Sequence, residues 1–379
     1  MPSADLARRW IEDGERAMRI CNACRYCEGF CAVFPALERR LTFAEGDLNF
    51  LANLCHDCGE CLYSCQYAPP HEFGLDLPRT MARIRRETYR AYAWPGPFRV
   101  LIQRSGLALL AGAVAAPALL FAVLKWLVPS AVLFSAHPME AGAFFRVMPY
   151  SAMTALFGVL ALVAAAAFVA GLIAFWRDIG EPLGSFWNAK ALGRAIRESL
   201  SLRYLDGGGG GCADPDEIPS QVRRWFHHLT FYGFMLCFAA TAVAAVYHNV
   251  FGWEAPYPLL SAPVVLGTLG GIGLLIGPIG LLWLKWSRDA ERADRAQSGM
   301  DTAFLALLFL SSATGLLLLA FRESAAMGTL LAIHLGVVAG LFITMPYGKF
   351  VHAIYRFAAL VRNALEEQRR AGRTGAGTS

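Results

Sequence analysis

The sequence predicts an all-α protein in which a polar N-terminal domain precedes a bundle of six membrane-spanning helices. Hydrophobic residues make up 56% of the 379 residues and charged residues only 17%, below the roughly 25% of an average soluble domain. Eight of the ten cysteines lie within residues 1–100, whereas long uncharged runs begin near residue 101. This composition excludes a disordered chain, a coiled coil and a wholly soluble enzyme, and the net charge of +5 gives no reason to expect nucleic-acid binding.

Two cysteine runs in the N-terminal domain share the spacing C-x2-C-x2-C-x3-C. Ferredoxins with two [4Fe–4S] clusters have this spacing, and the fourth cysteine of each run binds the other cluster. Zinc sites more often use two separated C-x2-C pairs, and disulfides are rare in the cytoplasm. We therefore predict two [4Fe–4S] clusters, one on Cys21, Cys24, Cys27 and Cys65 and the other on Cys31, Cys55, Cys58 and Cys61.

The segment between the two runs, residues 35–54, is too long for a tight turn and has a helical pattern. We therefore expect an α-helical ferredoxin and not the compact, β-rich type. Cys212 follows a run of five glycines and is expected to be a linker residue, whereas Cys237 is expected to be a small core residue of the third span. His56 and His71 flank the second cysteine run and are expected on the surface; the alternative is that they tune a cluster through hydrogen bonds.

The chain beyond residue 100 contains long apolar segments. A membrane-spanning helix needs about 20 apolar residues, because the hydrocarbon core is about 30 Å thick. Six segments within residues 101–360 meet this requirement approximately, and six buried helices in a soluble protein are a much poorer explanation. The predicted spans are 106–128, 150–176, 229–250, 262–284, 302–321 and 325–346.

Positive residues indicate which side of the membrane each loop occupies. Lys and Arg gather in the loop 177–228, in the loop 285–301 and after the sixth span, whereas the opposite loops contain only Arg146 and Arg322. Because positive loops stay in the cytoplasm, both termini are expected there, and no signal-peptide pattern opens the chain. We thus expect a multi-pass protein of a bacterial-type inner (cytoplasmic) membrane, with residues 361–379 as a flexible cytoplasmic tail.

Histidines on or near the third and sixth spans are candidate functional groups, because ionisable residues are rare inside membranes. These histidines are His227, His228, His248, His334 and His352. His334 and His352 are separated by five helical turns, or about 27 Å. His227 and His248 differ by only about 60° in helical phase, whereas His228 and His248 differ by roughly 160°. Phase therefore favours His227, although a tilt or kink of the helix would bring in His228.

The topology pairs these histidines across the two spans. It places His227 or His228 beside His352 at the inner face of the membrane, and His248 beside His334 at the outer face. Two histidines on facing helices are the ligands that a b-type haem needs, so the pattern predicts one or two haems. The alternative is that they only hydrogen-bond neighbouring helices. Basic residues would pair with the propionates of the inner haem, and the candidates are Arg223, Arg224, Lys349 and Arg356.

These features together predict an α-helical dicluster ferredoxin domain followed by a six-helix transmembrane haem-binding bundle. The glycines of residues 267–277 are similar to a dinucleotide-binding pattern, but no strand precedes them. We expect them to let helices approach closely instead. The sequence contains no P-loop and no grouping typical of a Ser–His–Asp triad.

Several segments of the chain resemble the tricarballylate-utilisation B family, also called the citrate-utilisation B family, and the membrane part of CobZ-type cobalamin-pathway enzymes. The segments that carry the resemblance are 21–40, 54–79, 223–248, 252–271 and 345–356. The resemblance covers about residues 15–360. It places the clusters on the eight cysteines and the haem ligands among the five histidines.

The resemblance implies a partner flavoprotein on the cytoplasmic side, whose FAD dehydrogenates tricarballylate to cis-aconitate. The chain would reoxidise that flavin and pass the electrons to membrane quinone. It would then be the redox subunit of an oxidoreductase complex and not the substrate dehydrogenase. Two alternatives are the iron–sulfur and haem subunit of another respiratory complex, heterodisulfide-reductase-like or nitrate-reductase-like, and a redox sensor.

Overall fold

The computed structural model describes residues 4–98, 105–137, 140–212, 218–287 and 295–375. Within these ranges the regular secondary structure is helical, and the only β-type contact is an isolated bridge between Cys212 and Ser220. The prediction of an all-α fold is therefore confirmed.

Five helices form the N-terminal domain, and two of them occupy the segment between the cysteine runs, where the sequence predicts a helix. They are α1 (Ala4–Cys24), α2 (Val33–Leu37), α3 (Glu45–Leu54), α4 (Glu60–Tyr63) and α5 (Leu77–Tyr92). Met18, Leu51 and Met81 from α1, α3 and α5 are fully buried and form the centre of this domain. Burial of one apolar face of each helix is what holds this small domain together.

Ten helices lie in the described ranges that follow the N-terminal domain. They are α6 (Ser105–Leu127), α7 (Ser130–Leu133), α8 (Ala143–Val147), α9 (Tyr150–Asp178), α10 (Ala189–Leu200), α11 (Val222–Phe251), α12 (Ala262–Trp286), α13 (Arg295–Ala320), α14 (Met327–Thr344) and α15 (Val351–Gly375). Short 3₁₀ turns lie at Gly96–Phe98, Leu183–Trp187, Gly207–Gly209 and Met345–Tyr347.

The described part of the chain contains five helices that are long and apolar enough to cross a membrane, α9 and α11 to α14, consistent with a multi-pass membrane protein. The first predicted span, 106–128, coincides with α6, whose segment Val114–Leu127 is apolar. Only 11% of the apolar window of α11 is buried inside the protein, so most of its apolar surface is free to face lipid. Residues 288–294 of the predicted inner loop lie outside the described residues.

The close approach of α11 and α12 depends on glycine. A Cβ atom on Gly273 would lie 2.9 Å from the carbonyl oxygen of Leu229, and one on Gly277 would lie 2.7 Å from the backbone nitrogen of Thr230. Both distances are too short for a real side chain. These two glycines therefore pack helices together, as the sequence predicts for the segment 267–277.

The prediction of a flexible tail after residue 360 is wrong for residues 361–375. Helix α15 continues to Gly375, and Ala359, Val361 and Ala364 are fully buried. The helix is amphipathic, and it packs against α3 and α10 because its apolar face would otherwise lie in water. Residues 376–379 of the predicted tail lie outside the described residues.

An ion network fixes α15 to the N-terminal domain. The Glu366 carboxylate accepts hydrogen bonds from Arg40, which belongs to the N-terminal domain, and from Arg362 one turn earlier on α15. Arg362 also donates to Asp47 at 3.1 Å and stacks 4.4 Å from the centre of the Phe50 ring. The N-terminal domain and the membrane helices thus share one continuous core, which fixes the position of the cysteines relative to the histidines.

Candidate functional site

The two cysteine runs lie at the ends of neighbouring helices. Cys21 and Cys24 are in the last turn of α1, and Cys55 caps the C-terminal end of α3. Gly59 precedes α4 and has a φ of 82°, a left-handed conformation that residues with a side chain rarely adopt. Gly59 therefore permits the tight turn between Cys58 and Cys61.

The fourth cysteine of each run lies close to thiols of the other run. Cys65 is close to Cys21 and Cys27, and Cys31 is close to Cys55, Cys58 and Cys61, while Cys61 also faces Cys27. We name the two predicted ligand sets the first cysteine group (Cys21, Cys24, Cys27 and Cys65) and the second cysteine group (Cys31, Cys55, Cys58 and Cys61). Burial, followed by the charges of the other three thiols in its group, raises the pKa of Cys21 to about 12. Burial and the charges of two members of the second group likewise raise the pKa of Cys31. The structure thus brings the fourth cysteine of each run to the first three of the other.

The chemistry of these groups suits iron–sulfur clusters. All eight cysteines are free thiols, each partly buried, and four buried thiolates repel one another unless metal ions balance their charge. No group of three or more His, Cys, Asp or Glu side chains in the described ranges is placed to hold a single metal ion. The two sets offer the four thiolates per cluster that a [4Fe–4S] centre uses.

A cavity of about 720 Å³ lies between the second cysteine group and the membrane helices. Its wall includes Cys55 and His56 from the N-terminal domain, His227 from α11 and His352 from α15. Its volume falls within the roughly 300–1,000 Å³ typical of cofactor sites. A cofactor in this cavity would therefore adjoin the second cysteine group.

The imidazole rings of His227 and His352 approach each other in the wall of this cavity. Their centroids are 6.3 Å apart and their planes are inclined by 78°. Two imidazoles that share one metal ion, each with a metal–nitrogen distance of about 2.0 Å, have centroids about 6 Å apart. This separation leaves room for one iron atom between the rings.

Hydrogen bonding leaves both rings free to bind a metal. Nδ1 of His352 lies 2.7 Å from the carbonyl oxygen of Lys349. Because a carbonyl oxygen only accepts, Nδ1 carries the proton and Nε2 keeps its lone pair for a metal ion. Nδ1 of His227 is buried without a hydrogen-bond partner. Such a buried, unsatisfied nitrogen is uncommon in folded proteins, and the pair fits the axial ligands of a b-type haem.

The two family models that match the chain cover nearly all of it. Residues 14–91 match the model of the citrate utilization protein B Fer4-like domain, and residues 100–373 match that of citrate utilization protein B. The citrate utilization protein B of Escherichia coli is 51% identical over 356 residues, which are 94% of this chain and 92% of the relative. The chain belongs to the citrate utilization protein B family. No solved structure matches it.

Membership of the citrate utilization protein B family agrees with the resemblance in the cysteine and histidine segments. The Fer4-like domain contains both cysteine runs, which indicates that this family member binds iron–sulfur clusters and transfers electrons. The remaining site residues lie in the segment that matches the second family model.

Three of the four basic candidates line the cavity of this family member: Arg223, Lys349 and Arg356. Nη2 of Arg356 is buried without a partner. Burial lowers the pKa of Arg356 to about 10; the charge of Cys55 opposes this shift, and the charge of Arg85 adds to it. A carboxylate would satisfy this group. Arg224 points elsewhere, since it donates to the carbonyl oxygen of Ser201 at 2.8 Å.

The other histidine candidates do not line this cavity. His228 packs against Trp225 and Tyr232. His248 stacks on Tyr150 with ring centroids 3.6 Å apart, whereas Nδ1 of His334 lies 3.1 Å from the Thr314 hydroxyl. Among the described contacts, the rings of His248 and His334 do not meet.

His56 belongs to the site, and the prediction that it lies on the surface is wrong. It lines the cavity next to Cys55. Burial, followed by the charges of Arg356 and His227, holds the pKa of His56 well below its ordinary value. A neutral His56 offers both a donor and an acceptor beside the cavity.

Asp301 is a second residue that sequence reasoning did not assign. Its carboxylate lies 2.9 Å from the ammonium groups of both Lys285 and Lys349, and all three residues line the cavity. The two lysines and this carboxylate form a charged cluster in the wall of the cavity.

Proposed function

We propose that this citrate utilization protein B carries electrons from the reduced FAD of a partner dehydrogenase, through two [4Fe–4S] clusters and a haem b, to membrane quinone. The observation that carries the proposal is the shared cavity, whose wall contains Cys55 of the second cysteine group together with His227 and His352. Electron transfer requires closely spaced centres, and this arrangement supports a chain of them.

The positions of the two cysteine groups support an order in which electrons pass from the first cluster to the second and then to the haem. Cys21, Cys24, Cys27 and Cys65 line a small depression together with Cys61, and none of these five cysteines lines the cavity. Cys55 of the second group does line the cavity. Reduced flavin would release two electrons and two protons, and quinone would take up two electrons and two protons to become quinol, so the overall transfer balances.

The partner and its substrate are part of the proposal. By its resemblance to the tricarballylate-utilisation B family, the chain serves an FAD-containing tricarballylate dehydrogenase on the cytoplasmic side. The relative's name refers to citrate, another tricarboxylate, which supports a partner that oxidises such acids. The Lys and Arg distribution supports an inner-membrane protein with both termini in the cytoplasm.

The proposal is tested on the full chain purified in detergent. We expect eight non-haem iron atoms, eight acid-labile sulfides and one haem b per chain, and a b-type α band after reduction with dithionite. Addition of a short-chain quinone should then reoxidise the haem. A spectrum with clusters but no b-type band would contradict the electron-transfer proposal and favour a redox sensor.

A further inference from the structure

Helix α10 bridges two of the helices that are long and apolar enough to cross a membrane, α9 and α11. Just before α10 begins, the ring of Phe186 packs on Trp176 near the C-terminal end of α9, with ring centroids 5.0 Å apart. At the last residue of α10, the carbonyl oxygen of Leu200 accepts a hydrogen bond of 2.8 Å from the hydroxyl group of Tyr232 in the first third of α11. Because both ends of α10 are tied to such helices, α10 runs along the membrane surface between them.

One side of α10 faces the protein and the opposite side is open. Ala191, Ala195 and Glu198 are buried and lie within about 60° of one another around the helix, where α10 packs against α15. Gly193 lies opposite these residues. A Cβ atom on Gly193 would meet no neighbouring atom within 4 Å, so nothing in the described part of the chain covers this side.

The open side of α10 has an apolar edge and a basic edge. The apolar edge consists of Ile196 and Leu200, which are one turn apart and 45% and 43% exposed; both also line the cavity. The basic edge consists of Lys190 and Arg197, which are about two turns apart and exposed, and among the described residues neither forms an ion pair. Helices that lie in a membrane surface have this pattern, because apolar side chains enter the acyl region while long basic side chains reach the headgroups.

Exposed tryptophans lie next to both ends of α10. Trp187 comes two residues before the helix, and Trp225 follows Arg224, which donates a hydrogen bond of 2.8 Å to the carbonyl oxygen of Ser201 directly after the helix. Tryptophan is enriched where the lipid headgroups meet the acyl chains. The two side chains therefore support the same depth for α10 as its ties to α9 and α11.

We propose that the open side of α10 binds the anionic headgroups of phospholipids. Lys190 and Arg197 pair with the phosphate groups, while the apolar edge enters the acyl region. The one acidic residue of α10, Glu198, is buried on the other side, so no carboxylate of this helix repels the lipid. Each basic residue near an anionic membrane surface strengthens binding about fivefold. This binding requires neither cluster nor haem, and thus goes beyond the proposed electron-transfer role.

The test measures lipid binding to the full-length chain purified in a neutral detergent. Phosphatidylglycerol or phosphatidylcholine is titrated in, and native mass spectrometry gives the dissociation constant of the bound lipid. We expect the wild type to prefer phosphatidylglycerol, and Lys190→Gln combined with Arg197→Gln to weaken its binding about 25-fold. Lys190→Arg combined with Arg197→Lys keeps both charges and should bind like the wild type.

Arg9→Gln combined with Arg19→Gln is the matched control, because it removes two exposed charges from α1 and should leave the affinity for phosphatidylglycerol unchanged. Equal affinity of the wild type for both lipids would overturn the proposal. Undiminished affinity for phosphatidylglycerol in the α10 glutamine variant would overturn it as well. An equal loss in the α1 and α10 variants would also do so, since binding would then follow net charge alone.

Discussion

Arg356 donates a hydrogen bond of 2.8 Å to the carbonyl oxygen of Leu54. Leu54 directly precedes Cys55, and Arg356 lies one turn after His352 on α15. A single side chain therefore links the backbone of the second cysteine group to the helix that carries a proposed haem ligand. The same guanidinium has a second nitrogen, Nη2, that is buried without a partner.

The first prediction concerns Arg356→Gln. It removes a buried charge that would pair with a haem propionate, and a hydrogen bond to a charged group contributes about 1.5–3 kcal/mol. We expect haem affinity to fall about tenfold or more, while the iron and sulfide content stays unchanged. Haem and iron are measured per purified chain. Arg224→Gln is the control, because Arg224 bonds to Ser201 outside the cavity, and equal haem loss in both variants would contradict the role of Arg356.

The second prediction tests whether His352, and not His228, is a haem ligand. His352→Ala removes a proposed axial ligand, so we expect haem affinity to fall by more than the roughly 10–100-fold that loss of an outer hydrogen-bonding partner costs. His228→Ala should leave haem content unchanged, because His228 packs against Trp225 and Tyr232. Pyridine haemochrome spectra of the purified variants give the count. Normal haem in His352→Ala would refute the assignment of this ligand.

Helical periodicity alone favours His227 over His228, and the structure places the His227 ring against His352. The cysteine spacing likewise predicts that the fourth cysteine of each run joins the first three of the other run, because cysteines two residues apart have little freedom to bind different clusters. The place of His56 in the cavity wall was not anticipated. His227 and Arg356, two of the charged groups that face it, lie more than 150 residues away in the sequence, and only the packing of the N-terminal domain on the later helices brings them together. Residues 361–375 were misassigned because their polar residues pair with Arg40 of the N-terminal domain and with Glu181 instead of with solvent.

The third prediction tests the order of electron flow. Cys55→Ser weakens the cluster next to the cavity, so we expect haem to bind normally but its reduction by the reduced flavoprotein partner to slow at least about tenfold, equivalent to about 1.4 kcal/mol of barrier. Stopped-flow absorbance at the haem band measures the rate. Cys237→Ser leaves both cysteine runs intact and should behave as the wild type. An unchanged rate in Cys55→Ser would mean that electrons reach the haem without this cluster.

The fourth prediction concerns the ion network of α15. Burial by itself raises the pKa of Glu366, but the hydrogen bond and charge of Arg40 outweigh it and lower the pKa below its ordinary value of 4.5. A lowered carboxyl pKa stabilises the folded chain above the unfolded pKa, and this contribution is lost as pH falls through the folded pKa. Glu366→Gln should therefore cost about 2 kcal/mol at pH 7, since Arg40 and Arg362 would then share the carboxylate of Asp47.

Thermal unfolding followed by circular dichroism at several pH values checks this expectation. The difference in Tm between the wild type and Glu366→Gln should be largest near neutral pH and should shrink below about pH 4.5. Glu15→Gln is the control, because Glu15 pairs with Arg19 on the exposed surface of α1 and such pairs contribute at most about 0.5 kcal/mol. A difference that does not depend on pH would contradict an ionic role for Glu366.

The fifth prediction concerns the number of haems. Neither His334 nor His248 lines the cavity. His334 lies beside Thr314, whereas His248 stacks on Tyr150, and no described contact joins the two imidazole rings. A haem at the outer face would need both rings to turn toward a common iron and the stacked Tyr150 to move. The Thr314 hydroxyl lies 3.1 Å from Nδ1 of His334 and so links α13 to α14. We therefore expect one haem per chain in the wild type and in His334→Ala, and none in His352→Ala; two haems in the wild type that fall to one in His334→Ala would establish the outer site instead.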